Sequence, residues 1–123
     1  MTSALVLIVD DFADARDMMS VYLMDGGFAV AEAENGEEAI AAALRDQPAI
    51  ILMDMTMPVM DGWEATRLLK ADPKTRGIPI IALTGHDLTA ADRAALGCDS
   101  FIVRPCPPAQ VVAEVARVLG RRR

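Results

Sequence analysis

Short runs of apolar, often β-branched residues alternate along the whole chain with stretches of helical period. Leu5 to Val9 (LVLIV) is nearly all apolar, as is Ala49 to Met53 (AIILM), and Ile78 to Leu83 (IPIIAL) follows the same habit. Strands buried on both faces read this way, because helices cover both sides of a parallel sheet. Phe28 to Ala33 and Ser100 to Val103 are weaker runs, which suits strands nearer an edge. Between them, Ala15, Met18, Met19 and Tyr22 fall at helical spacing, and Gly26-Gly27 ends that helix. Asn35 with Glu38 predicts the start of a second helix, whose inner stripe is Ala39, Ile40, Ala43 and Leu44. Asp61 with Glu64 repeats the signal before Ala65, Leu68 and Leu69, and Thr89 with Asp92 opens a short fourth helix that ends at Gly97. In the last helix Gln110, Glu114, Arg117 and Arg121 share an outer face, while Val111, Val112, Val115 and Leu119 point inward. Five βα units in a row imply parallel strands, right-handed crossovers and a three-layer α/β sandwich.

In an open α/β sheet, ligands bind beyond the carboxyl ends of the strands. The expected strands end in Val9-Asp10-Asp11, Met53-Asp54, Leu83-Thr84 and Val103-Arg104-Pro105. Three carboxylates, a hydroxyl and a guanidinium thus gather at one rim. Any one of these aspartates alone would be read as a helix cap or a turn residue; their shared placement at strand ends favours a site. Clustered carboxylates repel one another unless a cation neutralises them. An all-oxygen set suits magnesium, and the absence of His or thiolate at these positions disfavours zinc. A carboxylate can also attack phosphorus, with positioning and electrostatics supplying most of the catalysis.

These residues, in this order, resemble the receiver domain of two-component response regulators, of the single-domain, chemotaxis-receiver kind. The resemblance is carried by Asp10-Asp11, Asp54 with Met57-Pro58-Val59-Met60-Asp61-Gly62 after it, Thr84, and a basic residue before Pro105. It covers essentially the whole chain, residues 1–123, as one receiver domain. It implies a flavodoxin-like sheet in the order 2-1-3-4-5 with five helices. It also implies that Asp54 is the phosphoacceptor and that Mg2+ is held by Asp11, by Asp54, by the backbone carbonyl of Thr56 and, through its water shell, by Asp10. Thr84 is then the hydroxyl that moves toward the phosphoryl group, Phe101 the aromatic that follows it inward, and Pro105 the partner in a cis peptide bond. The family normally carries Lys where this chain has Arg104, and often Ala where it has Gly85. Arg104 either binds a phosphoryl oxygen through its planar fork or pairs with Asp54 in the resting state.

The resulting expectation is a phosphorylation-controlled signalling module, not a metabolic enzyme. It takes its phosphoryl group from a histidine kinase or phosphotransfer protein. It signals to a protein partner through the fourth helix, fifth strand and fifth helix. The competing expectation is a receiver-like binding protein that works without phosphorylation, because Arg104 holds Asp54. A flavodoxin-like electron carrier is disfavoured, since Asp10-Asp11-Phe12 lacks a small, hydroxyl-rich phosphate loop. An aspartate-dependent phosphatase would need its nucleophile after the first strand and a longer chain.

Composition narrows the setting. Just over half of the 123 residues are hydrophobic and the net charge is −6, which argues against general nucleic-acid binding. Arg121, Arg122 and Arg123 form the only concentrated basic run and are expected to balance the negative end of the last helix. Cys98 and Cys106 fit neither a disulfide framework nor a zinc spacing, and read as reduced thiols of a cytoplasmic protein. No run is long enough to cross a membrane, and a monomer or weak dimer is expected. His86, the only histidine, reads as exposed, the many methionines as core and loop filling, and Trp63 as packing at the start of the third helix.

Overall fold

The computed structural model describes residues 3–120, so the expected basic run 121–123 lies outside the described residues. Ten elements alternate: β1 (Leu5–Val9), α1 (Ala13–Asp25), β2 (Ala29–Ala33), α2 (Gly36–Asp46), β3 (Ile50–Asp54), α3 (Gly62–Ala71), β4 (Ile80–Thr84), α4 (Ala90–Leu96), β5 (Ser100–Val103) and α5 (Pro108–Gly120). The strands form one parallel sheet in the order β2-β1-β3-β4-β5. The weakly apolar runs are indeed the edges. The order in which strands are added reverses between β1 and β3, and this switch point opens a crevice at the carboxyl ends of those two strands.

Alternation along the buried strands sends side chains to two separate cores. Leu7, Val9, Ile51, Met53, Ile80 and Ala82 pack with residues of α2, α3 and α4. Val6, Ile8, Ile50, Leu52, Ile81, Leu83 and Ile102 pack with Leu23 of α1 and Val111, Val115 and Val118 of α5. The third and fourth strands end at Asp54 and Thr84, the strand ends the sequence indicates, and begin one and two residues later than their apolar runs, at Ile50 and Ile80.

Helix starts follow their caps. Asn35, Asp61 and Thr89 each accept a hydrogen bond from the backbone N–H three residues on. Only Thr89 and Asp92 form the full reciprocal box. Glu38 instead accepts from the Glu34 N–H, and Glu64 turns to Arg67.

The inner stripes need correction in two helices. Met18 and Tyr22 of α1 and Leu44 of α2 are exposed, while Ser20, Leu23 and Ala42 are buried in their place. Alpha1 carries apolar residues on more than one side, so periodicity alone does not say which side meets the sheet. In α5, Val118 is fully buried and Val112 and Leu119 only partly so.

Candidate functional site

Strand register delivers the acidic residues to the crevice. Val9 pairs with Met53 across β1 and β3, so Asp10 and Asp54 each follow at the same level. Asp54 in turn pairs with Leu83, one step before Thr84, and Thr84 pairs with Val103, one step before Arg104. One carboxylate oxygen from each of Asp10, Asp11 and Asp54 lies within 4.8 Å of the other two. Asp10 directly follows the buried strand β1, and Asp11 lies two residues before α1.

The three carboxylates differ in surroundings. Asp10 is buried; its Oδ1 accepts the Phe12 N–H at 2.9 Å. Asp11 is exposed, and no described residue donates a hydrogen bond to its carboxylate. Asp54 is buried to 8 % exposure and accepts the Thr56 N–H on Oδ1 at 3.0 Å. Burial lifts the Asp54 carboxyl above the usual carboxylate range. The Thr56 N–H and the Arg104 charge pull it back, the charges of Asp10 and Asp11 push it up, and the net direction is upward.

Arg104 pairs with Asp54 only at long range and more closely with Asp10, a partner the sequence reading did not name. Its Nη2 donates to Asp10 Oδ2 at 2.9 Å, whereas Nη1 stands 3.9 Å from Asp54 Oδ2. The resting guanidinium therefore belongs to Asp10 first and to Asp54 second. The peptide bond between Arg104 and Pro105 is cis.

The hydroxyl of Thr84, a buried residue, donates to the carbonyl of His86, not to Asp54. His86 itself is exposed. Phe101 is half-buried against the core under α2, α3 and α4, and the Arg93 guanidinium of α4 sits 5.1 Å from its ring centroid. Cys98 and Cys106 are free thiols; burial pushes the Cys98 thiol up.

Arg16 is a residue that sequence reasoning missed. It donates to the Asp10 carbonyl at 2.7 Å and to Glu32 at 3.1 Å, with Glu34 at 3.9 Å. A helical side chain leans toward the helix N-terminus, so an arginine in the first turn after Asp10-Asp11 reaches back over them. That lean was the available signal. Gly62 was quoted only as part of a motif. A Cβ there would stand 2.2 Å from the Asp54 carbonyl oxygen and 2.7 Å from the Met55 Cα, so only glycine lets α3 start this close to the acceptor. The loop between them is also fastened on its far side, where the Gly36 N–H of α2 donates to the Met60 carbonyl at 2.9 Å.

The donor set fits a hard divalent cation. Three carboxylates supply oxygen only, one of them exposed and free of protein donors, and the charges of Asp10 and Asp11, which add to the upward push of burial on Asp54, are what such a cation would neutralise.

A family model described as response regulator receiver domain matches residues 6–116. The chain is 38% identical to the phosphate regulon transcriptional regulatory protein PhoB of Pseudomonas aeruginosa, over 98% of this chain and 54% of that protein. It is 39% identical to the transcriptional regulatory protein ResD of Bacillus subtilis, over 94% of this chain and 48% of that one. The chain thus spans about half the length of the curated relatives it matches. Among solved structures, chemotaxis protein CheY4 of Vibrio cholerae superimposes with a TM-score of 0.88 at 32% identity, covering 95% of this chain and 99% of that one. The receiver domain of sensor histidine kinase PA1611 from Pseudomonas aeruginosa, which has a magnesium ion coordinated in its active-site cleft, gives 0.87 at 29% identity, covering 97% and 99%. Sheet order, acidic crevice and sequence all agree, and the chain belongs to the response regulator receiver domain family.

Proposed function

We propose that the chain is a phosphorylation-controlled switch of two-component signalling, with Asp54 as its phosphoacceptor. The observation that carries this is the setting of Asp54. It is a buried carboxylate made more basic than usual, with two further carboxylates and one guanidinium around it. Greater basicity favours nucleophilic attack, provided the carboxyl is ionised when the donor arrives. An Asp54 oxygen forms the new bond to phosphorus, and the bond from phosphorus to the donor's nitrogen or oxygen breaks with its electron pair leaving on the donor. Water later takes the phosphoryl group and returns the carboxylate. The chemistry resets a switch and is not metabolic turnover.

Asp11, Asp54 and the Thr56 carbonyl would hold Mg2+, with Asp10 supporting its water shell. The bound ion supplies charge neutralisation for the carboxylates and the incoming phosphoryl oxygens. Arg104 contributes a second positive group toward Asp54. Thr84, released from the His86 carbonyl, offers its hydroxyl to a phosphoryl oxygen, and Phe101 responds on the α4-β5 side. A histidine kinase or phosphotransfer protein is the proposed donor, and the α4-β5-α5 face the proposed route to a protein target. No described helix is long and apolar enough to cross a membrane.

Incubation with acetyl phosphate and MgCl2 tests the reading by intact-mass spectrometry. The wild type gains the mass of one phosphoryl group, and Asp54→Asn gains none. A wild type that stays unmodified with acetyl phosphate, phosphoramidate and a phosphorylated phosphotransfer protein would sink the proposal.

A further inference from the structure

We propose that Arg104 is a resident counter-ion of the cleft. It holds Asp10 while no divalent cation is bound, and it is handed across to Asp54 when one binds. This rests on the magnesium reading above.

Both oxygens of Asp10 are committed to protein donors: Oδ1 to the Phe12 N–H and Oδ2 to Arg104 Nη2, each at 2.9 Å. The side chain is 5 % exposed, so water has little part in neutralising it. Arg104 therefore does at Asp10 what a cation's hydration shell would have to do, and the two compete for one carboxylate oxygen.

The second tine of the same fork already lies 3.9 Å from Asp54 Oδ2. A small swing of the stem would exchange one carboxylate for the other. The surroundings permit that swing. A cavity of about 220 Å³, lined in part by Met18, Met19, Pro105 and Cys106, borders both Asp10 and Arg104, so the stem is not wedged in place. Arg16 cannot stand in for Arg104, because its nitrogens are taken by the Asp10 carbonyl, Glu32 and Glu34. A lysine would present one compact ammonium and could not span the two carboxylates in this way.

Calorimetric titration of the 123-residue chain with MgCl2 is the test, run on wild type, Arg104→Met and Arg104→Lys. With the competitor removed, Arg104→Met binds Mg2+ about tenfold more tightly than wild type, the size expected for loss of one partly exposed charge-assisted hydrogen bond. Arg104→Lys falls between them. In ¹⁵N spectra of the wild type, the Arg104 guanidinium resonance moves as Mg2+ saturates. Equal Mg2+ affinity in folded wild type and Arg104→Met overturns the competition and leaves the magnesium reading standing. If Arg104→Met does not fold, an Arg104 resonance unmoved at Mg2+ saturation overturns it instead. Failure of every folded variant to bind Mg2+ sinks the metal reading and, with it, this proposal.

Discussion

Val59 occupies a position that its side chain should resist. Its φ is +67°, and the Pro58 carbonyl accepts the Met60 N–H across it at 2.8 Å, which makes the rarer positive-φ γ-turn. A β-branched residue is strained in this region, and at 74 % exposure Val59 recovers little by burial. Val59→Gly is therefore expected to stabilise the fold by about 1 kcal/mol, after allowing for the greater freedom of glycine in the unfolded chain. Urea denaturation measures the gain. Thr66 presents the opposite case, a wholly buried hydroxyl without a hydrogen-bond partner among the described residues. Thr66→Val keeps the shape and removes the unsatisfied group, so a gain of about 1 kcal/mol is expected in the same assay. Neither residue announces itself in the sequence. A threonine on a helix's buried face normally finds a carbonyl one turn back, and a valine in a loop normally takes an extended backbone.

At the level of elements, the alternation of strands and helices was legible because periodicity is a property of each segment alone. The runs Leu5 to Val9 and Ala49 to Met53, apolar on both faces, read as interior strands, and β1 and β3 lie inside the sheet. The orientation of α1 was not legible. Its burial depends on how α5 shares the same face of the sheet, so Leu23 faces in and Met18 and Tyr22 face out. The junction of β3 and α3 is tighter than its sequence suggests. Gly62→Ala would drive a methyl into the Asp54 carbonyl and the Met55 backbone, neither of which can yield without moving the strand end. A loss of about 3 kcal/mol is expected in urea denaturation, together with slower phosphorylation by acetyl phosphate as Asp54 is displaced. A destabilised protein that phosphorylates at the wild-type rate would show that the strand end is unmoved.

For the molecule as a whole, the acidic crevice couples stability to protonation. Asp54 has a folded pKa above its unfolded value, so the native state binds its proton more tightly than the unfolded chain does. The stability this confers is complete below the unfolded value of about 3.9 and is lost as pH rises through the folded one. In metal-free buffer at pH 7, Asp54→Asn is accordingly expected to melt several degrees above wild type, and the gap should close as the solution is acidified toward pH 4. Scanning calorimetry in EDTA across that range checks both the sign and the window. The gathering of Asp10, Asp11 and Asp54 could be read from their places at strand ends, because a parallel sheet brings such ends to one rim. The choice of Asp10 over Asp54 as the chief partner of Arg104 could not, since it turns on the difference between 2.9 and 3.9 Å. The bond from the Gly36 amide to the Met60 carbonyl has a practical meaning in this setting. It places a single resolvable proton outside the crevice yet fastened to the segment that runs from the acceptor into α3. The resonance position and deuterium uptake of Gly36 would thus serve as an intrinsic gauge of that segment.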